Sequence, residues 1–272
     1  MTSPASVPPP GPAPDAPGAA ADGVSPAARL SRSVLDALLA GTELQERPTP
    51  WSVLTTPAAP DPVGAVRYFR GDGQGGVDAV VTVSLVVPAF GLDSHMLFAF
   101  GAADGPLPHF TLDSVQAGGG YAFHLDLVQR VDLAVSPSYA DLVYGPLTAP
   151  FARASEIPGL TPAAISPRQR SLMSPWMLVH RADESALRAI TPIAEEYLRH
   201  WLELARAFPA DAAAEAKEGD APLRDRRLRQ ALFSREIDPV WAQVDRLLGP
   251  DATDGLRGLL TTGRLTDEEA GA

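Results

Sequence analysis

The sequence predicts an α+β domain in which an antiparallel β-sheet is covered by helices. Three observations carry this. A helix-spaced segment comes first, a run of Val-, Phe- and Tyr-rich stretches follows, and helical spacing returns after it. The apolar stretches are joined by short Gly- or Pro-containing turns, too short for the crossover helices that parallel pairing needs. No internal repeat interrupts the order.

Residues 1–26 hold eight prolines among Ala, Gly and Ser. Such a stretch cannot bury enough apolar surface to offset its ordering entropy, so it reads as a disordered leader. It has neither the basic start and apolar middle of a secretory signal nor the arginines of a transit peptide. One domain is expected over 27–262, with a flexible tail at 263–272. Residues 27–40 place Leu30, Val34, Leu35, Leu38 and Leu39 at helical spacing, and Gly41 is a C-terminal stop. Strands are expected at 63–70, 77–87, 95–100, 107–115 and 121–128, with 172–180 returning one more. Residues 136–144 and 148–155 read as short helices. Thr191-Pro192 reads as cap and first turn of a helix carrying Ile193, Leu198, Trp201, Leu202 and Ala205 on one face. Residues 210–221 read as a polar loop, and 222–248 as a helical stretch broken near Asp238-Pro239.

Composition narrows the chemistry. With 22 basic against 33 acidic side chains the 272-residue chain carries a net charge of −11, which disfavours general binding to nucleic acid or anionic membranes. The absence of cysteine excludes disulfides, thiolate zinc sites, Fe–S clusters and a catalytic thiol. No apolar run approaches the roughly 20 residues of a membrane span, and a cytoplasmic location is expected. Arginine supplies every basic residue except Lys217, and Ala, Pro and Gly abound, a composition expected of a bacterial protein from a high-GC genome.

The usual enzyme motifs fail. Gly71-x-Gly73-x-x-Gly76 matches a dinucleotide fingerprint in form, but a strand follows it where a helix N-terminus is required, so it reads as a hairpin turn. There is no Walker loop, nucleophile elbow or H-E-x-x-H. His124-x-Asp126 would share a strand face as a metal pair, without a third ligand at a telling spacing. What remains is a set of polar residues embedded in apolar strands. In the stretch at 108–116, Thr111, Asp113 and Val115 share one face, opposite Phe110, Leu112 and Ser114. Asp113 there either faces solvent or sits in a pocket that raises its pKa and makes it a proton donor. Asp126, Arg130 and Asp132 read as a salt-bridge corner. Asp238 either caps the helix that follows or serves a site.

The order Pro108-His-Phe-Thr-Leu-Asp113, then Leu125-Asp126-Leu127-x-x-Arg130-x-Asp132-Leu133, then Pro137-x-Tyr139, resembles red chlorophyll catabolite reductase, a relative of the ferredoxin-dependent bilin reductases. The resemblance continues through Ser174-Pro175, Trp201-Leu202-Glu203 and the Arg-rich run to Asp238 and Gly249, over roughly residues 77–262. It implies an α/β/α sandwich with a tetrapyrrole pocket between sheet and helices. It also implies reduction of a linear tetrapyrrole such as biliverdin without a bound flavin or metal. Ferredoxin delivers single electrons and the protein supplies protons to the bilin.

By position, the resemblance assigns proton-donating or ligand-positioning roles to Asp113 and Asp238, and an assisting role to His95. It places Met173 and Ser174 at the substrate. Asp113 is shorter than the pocket glutamate of chlorophyll catabolite reductases, which implies a different ligand or placement. Arg224, Arg226, Arg227, Arg229 and Arg235 offer a basic patch for acidic ferredoxin, or simply a solvated helix face. Two alternatives stay open: the same fold acting on another conjugated ring compound in a biosynthetic pathway, and a non-catalytic tetrapyrrole binder.

Overall fold

A computed structural model describes residues 24–71 and 76–265 of the chain. Helix α1 (Pro26–Ala40) starts on a Ser25 cap, whose hydroxyl accepts the Ala28 N–H at 3.0 Å, so Ser25 and Pro26 belong to the domain. The rest of the expected leader, and the tail beyond 265, lie outside the described residues.

The sheet strands are β1 (Gln45–Arg47), β2 (Leu54–Thr56), β3 (Ala59–Arg70), β4 (Val77–Val87), β5 (Leu92–Gly101), β6 (His109–Ala117) and β7 (Gly120–Val128). Next comes a helical passage: α2 (Pro137–Tyr139), a π turn at Ala140–Tyr144, a 3-10 turn at Gly145–Leu147 and α3 (Thr148–Ser155). Strand β8 (Leu160–Pro162), helix α4 (Pro167–Arg170) and strand β9 (Leu178–Ala182) follow. The chain ends in α5 (Glu184–Arg206), α6 (Ala210–Ala216), α7 (Ala221–Leu232), α8 (Val240–Leu248) and α9 (Pro250–Thr262).

All pairings are antiparallel, in the order β1-β3-β4-β5-β6-β7-β9-β8, with β2 also on β3. The expected α+β class is therefore observed, and it is a three-layer sandwich. One sheet face carries Val80, Leu97, Phe110, Leu112, Phe123 and Leu125 against α1 and α5. The other carries Tyr68, Val81, Val83 and Phe100 against Trp241 and Val244 of α8 and Leu256, Leu259 and Leu260 of α9. A sheet with apolar residues on both faces of its central strands needs a cover on each side, and the two helical layers provide it.

The expected elements shift in places for identifiable reasons. Helix α5 begins eight residues before Pro192, because Asp183 accepts the Ala186 N–H and Ala186, Leu187 and Ile190 extend the buried stripe. Pro192 sits inside the helix, where it removes one intrahelical bond, and burial on both sides carries the helix across it. Trp201 anchors that stripe, fully buried and donating its indole N–H to Pro108 O at 2.7 Å. The expected loop at 210–221 contains α6, whose Glu215 accepts the N–H groups of Ser138 and Tyr139. The return strand at 172–180 is displaced to β9, since Ser174 is drawn to Asp126. The strands β1, β2 and β8 are only three residues long, too short to stand out as apolar runs in the sequence. Gly71 and Gly76 flank the link between antiparallel neighbours β3 and β4, as a hairpin requires; residues 72–75 lie outside the described ones.

Candidate active site

The pleat decides which strand residues can meet. On β6 the side chains of Thr111, Asp113 and Val115 face α8, and Phe110, Leu112 and Ser114 face the α1–α5 layer. Asp113 lies opposite Met96 of β5 and His124 of β7 in the sheet register. Between this face and the α7–α8 region is a cavity of about 410 Å³, walled mostly by apolar groups including Leu85, Met96, Phe98, Phe100, Phe233, Trp241 and Val244. Asp113, His124, Asp238 and Met173 lie on the same wall. Residues far apart in the chain thus converge on one volume.

His124 Nδ1 lies 3.6 Å from Asp113 Oδ2, an ion-pair contact. Burial works against the imidazolium, but the Asp113 carboxylate beside it, with Asp126 and Asp238 further off, holds the His124 pKa above its ordinary value. Asp238 sits in the turn into α8, and its Oδ1 accepts the Val240 N–H at 3.0 Å. Burial pushes its carboxyl up, and the nearby Asp113 charge adds to this. Asp238 thus holds the first N–H of α8 from just outside the Pro239 cap position, and it also lines the cavity. Asp113 keeps 33% of its side chain exposed, so solvent reaches the acid pair, yet its Oδ1 has no hydrogen-bond partner among the described residues; neither has His124 Nε2. The site therefore combines a histidine whose pKa is raised, the Asp113 carboxyl group beside it and the Asp238 carboxyl biased toward its neutral form around an apolar space of about 410 Å³. That combination can hold a polar unsaturated ligand and pass it protons.

The structure does not bring the other expected site residues here. His95 lies on the opposite face of the sheet, bonded to Ser84 Oγ at 3.0 Å and to Asp93. It is one residue from Met96, which does reach the cavity, and the alternation of the strand sends the two apart. Ser174 is buried behind the wall, its hydroxyl and N–H both donating to Asp126 at 2.6 and 2.9 Å. Burial raises Asp126 to about 6, with His124 and the Ser174 bonds pulling the other way. His124 and Asp126 share a strand face but have separate partners, and among the described residues no group of three His, Asp or Glu side chains gathers around them. The sequence reading named His124 only as half of a metal pair; its place opposite Asp113 comes from the β6–β7 register.

Of the expected arginine patch Arg229 alone is buried, Arg224 is half-buried, and Arg226, Arg227 and Arg235 are exposed. Arg229 is buried and ion-paired to Asp225 at 3.0 Å, Arg224 donates to the carbonyls of Arg130, Ala216 and Glu218, and Arg235 binds Asp245 and Asp254. Arg226 and Arg227 remain exposed. The expected Asp126–Arg130–Asp132 corner is absent too: Arg130 pairs with Asp225 at 3.2 Å and donates to the carbonyls of Ala102, Ala103 and Leu107.

His109, on the cavity wall, joins this cluster. Its Nε2 bonds Asp225 Oδ1 at 2.8 Å and its Nδ1 accepts the Gly101 N–H at 3.2 Å, which defines the neutral tautomer. Burial, together with the charges of Arg130 and Arg229, pushes its pKa from 6.5 down to about 3. In that window the unfolded chain binds a proton that the folded chain refuses, so this residue's contribution to stability is lost as pH falls from 6.5 toward 3. Urea midpoints at pH 7 and pH 5 are expected to differ less in His109→Gln than in the parent chain; an unchanged difference would contradict this.

No family model matches the chain, and no curated protein matches it in sequence. Among solved structures it is similar to phytochromobilin synthase from tomato, crystallised in complex with biliverdin, with a TM-score of 0.66 and 17% sequence identity. The match covers 86% of this chain and 80% of that one. Among the described residues no helix is long and apolar enough to cross a membrane. At this identity the likeness establishes a common architecture, and the chain has the sheet-and-helix fold in which that bilin-bound structure is built.

Proposed function

We propose that the protein is an oxidoreductase that reduces a linear tetrapyrrole, taking electrons from ferredoxin and protons from its own pocket. The observation that carries this is the grouping of Asp113, His124 and Asp238 on the wall of one apolar cavity, in a fold also used by a structure holding biliverdin. Reduction of one double bond consumes two electrons from the external donor and two protons. His124 in its imidazolium form and Asp238 in its carboxylic form are the proton donors, each recharged from solvent past the partly exposed Asp113. Asp113 has two tasks: it favours the protonated form of His124, and its partly exposed side chain leads protons in from solvent. Met173 shapes the wall beside them. Arg226 and Arg227 are what the arginine run leaves for contact with an acidic electron donor.

The make-up of the wall favours a second substrate class as well. Among the described residues the cavity wall includes no lysine or arginine to pair with the carboxylates of a bilin. A conjugated ring compound without carboxylates fits the same wall.

Titration with biliverdin, followed by reduced ferredoxin under anaerobic conditions, tests the main reading. A shifted visible spectrum on binding, then bleaching or a blue shift, is the expected result. Binding of biliverdin dimethyl ester as tight as that of biliverdin would place the carboxylates outside. Failure of both to bind would move the assignment to the second substrate class, and binding without turnover would make the protein a carrier.

A further inference from the structure

Asp126 takes no part in the proton transfers above, yet it is a fully buried carboxyl group two residues along the same strand face from His124. Both of its oxygens go to one residue. Ser174 Oγ–H donates to Oδ1 at 2.6 Å, and Ser174 N–H donates to Oδ2 at 2.9 Å. Ser174 belongs to the irregular segment 171–177 between α4 and β9. Met173, the residue before it, is half-buried and lines the cavity. The far end of the segment is held by the helical layer instead: Trp176 donates its indole N–H to Thr148 Oγ1 at 3.0 Å, and its carbonyl accepts the Tyr197 hydroxyl at 2.9 Å. Among the described residues, the two Asp126 bonds are therefore what ties the Met173–Ser174 end to the sheet by hydrogen bonding.

Both Ser174 groups are donors, so an ionised carboxylate suits them, whereas a protonated carboxyl or an amide sets a donor against a donor. The bonds end on the backbone and side chain of residue 174, and so they fix the chain that carries the Met173 side chain. We infer that Asp126 is a positioning residue: through Ser174 it holds Met173 in the cavity wall and thereby sets how tightly the cavity grips an apolar ligand. This deepens the tetrapyrrole reading and rests on the same cavity. The groups that face Asp126 are His124 on its own strand, Tyr144 of the π turn and Tyr197 of α5, with the uncharged Thr111 across from it on β6. Burial pushes both tyrosines far up, which leaves His124 as the neighbour that titrates alongside it. Burial also raises Asp126 itself to about 6, so the grip on Ser174 loosens as pH falls through that value.

Nile red is uncharged and brightens in apolar surroundings, so it reads the cavity without assuming a tetrapyrrole. The full-length protein is expected to bind it near neutral pH, and Ser174→Ala to bind it about tenfold more weakly, the scale of one hydrogen bond to a charged group. Met173→Ala should weaken binding as well. The double variant should lose no more than the worse single one, because both substitutions act through Met173. In Ser174→Ala the amide at position 174 should exchange with deuterium about tenfold faster than in the parent. Affinity of the parent for Nile red should fall as pH drops through about 6, and Ser174→Ala should largely lose that dependence. With biliverdin and reduced ferredoxin, Ser174→Ala should raise KM about tenfold and leave kcat within about twofold, whereas partial unfolding would lower the apparent kcat alone. Unchanged Nile red affinity in Ser174→Ala, additive losses in the double variant, or no binding by the parent would overturn the clamp. Should Ser174→Ala fail to fold, the parent carries the test, and an affinity that stays flat through that pH range overturns it. If biliverdin fails to bind while Nile red follows the expected pattern, the tetrapyrrole reading falls and the clamp stands. If biliverdin is bound and reduced while Ser174→Ala leaves KM unchanged, the clamp falls alone.

Discussion

His124→Gln is expected to lower the rate of bilin reduction by about 10²–10⁴-fold, the range for loss of a positioned general acid, with biliverdin affinity changed little. Glutamine keeps a polar group of similar reach in the cavity but cannot deliver a proton. The pH profile supplies a second reading. Because the Asp113 contact, against burial, raises the His124 pKa, the rate should fall as pH rises through that raised value. The alkaline fall should vanish in His124→Gln. Asp113→Asn should move it to lower pH, since the imidazolium loses its nearest counter-charge at 3.6 Å. A His124→Gln protein turning over at the parent rate would remove His124 from the mechanism. By contrast His95→Gln should leave the rate within about twofold, since that side chain lies across the sheet.

Asp225→Ala is expected to destabilise the fold by about 3–5 kcal/mol, the usual cost of removing one partner from a buried ion pair. Asp225 bridges His109, Arg130 and Arg229, and the two arginine side chains are each only 3% exposed. Truncation strands both charges where water cannot replace the carboxylate. Arg130 keeps its bonds to backbone carbonyls, and Arg229 keeps its place over the Phe100 ring, 4.1 Å from the centroid, so some order survives. For a chain of this size the loss corresponds to a melting temperature lowered by roughly 6–20 °C. Asp225→Asn, which retains an acceptor for His109, should fall between the two. Glu46→Ala provides the control. Its pair with Arg67 is solvent-exposed, 45% and 49%, and should contribute under about 1 kcal/mol. A melting temperature within about 2 °C of the parent in Asp225→Ala would show that the cluster is not a stabilising centre.

The cluster also explains why one member of the arginine run, Arg229, is buried while its neighbours Arg226 and Arg227 are exposed. Local sequence shows Arg224 to Arg235 on helical spacing and nothing more. Whether such a residue meets water depends on partners far along the chain, and Arg229 is buried because Asp225 one turn earlier is itself fixed by His109 and Arg130. Ser174 follows the same logic: its role was set by Asp126, 48 residues earlier. The cap on α5 at Asp183 was legible in principle, since an acid three residues before Ala186 is a common helix start, but Thr191-Pro192 offered a more conspicuous signal.

The class of fold and the facing of individual strands follow from the chain alone. Apolar stretches linked by short turns require antiparallel neighbours, and the period of two on β6 is enough to put Thr111, Asp113 and Val115 on one face. Those are properties of a few consecutive residues. Long-range packing chose which sheet face would hold the cavity and which would close against α1 and α5. That choice admitted Asp113 and excluded His95. Packing also set the cross-strand register that lays His124 beside Asp113, and the seat of α8 that brings Asp238 and Trp241 over the same strands. Both faces of the central strands are apolar, so hydrophobicity could not rank them; the helices that cover each face could.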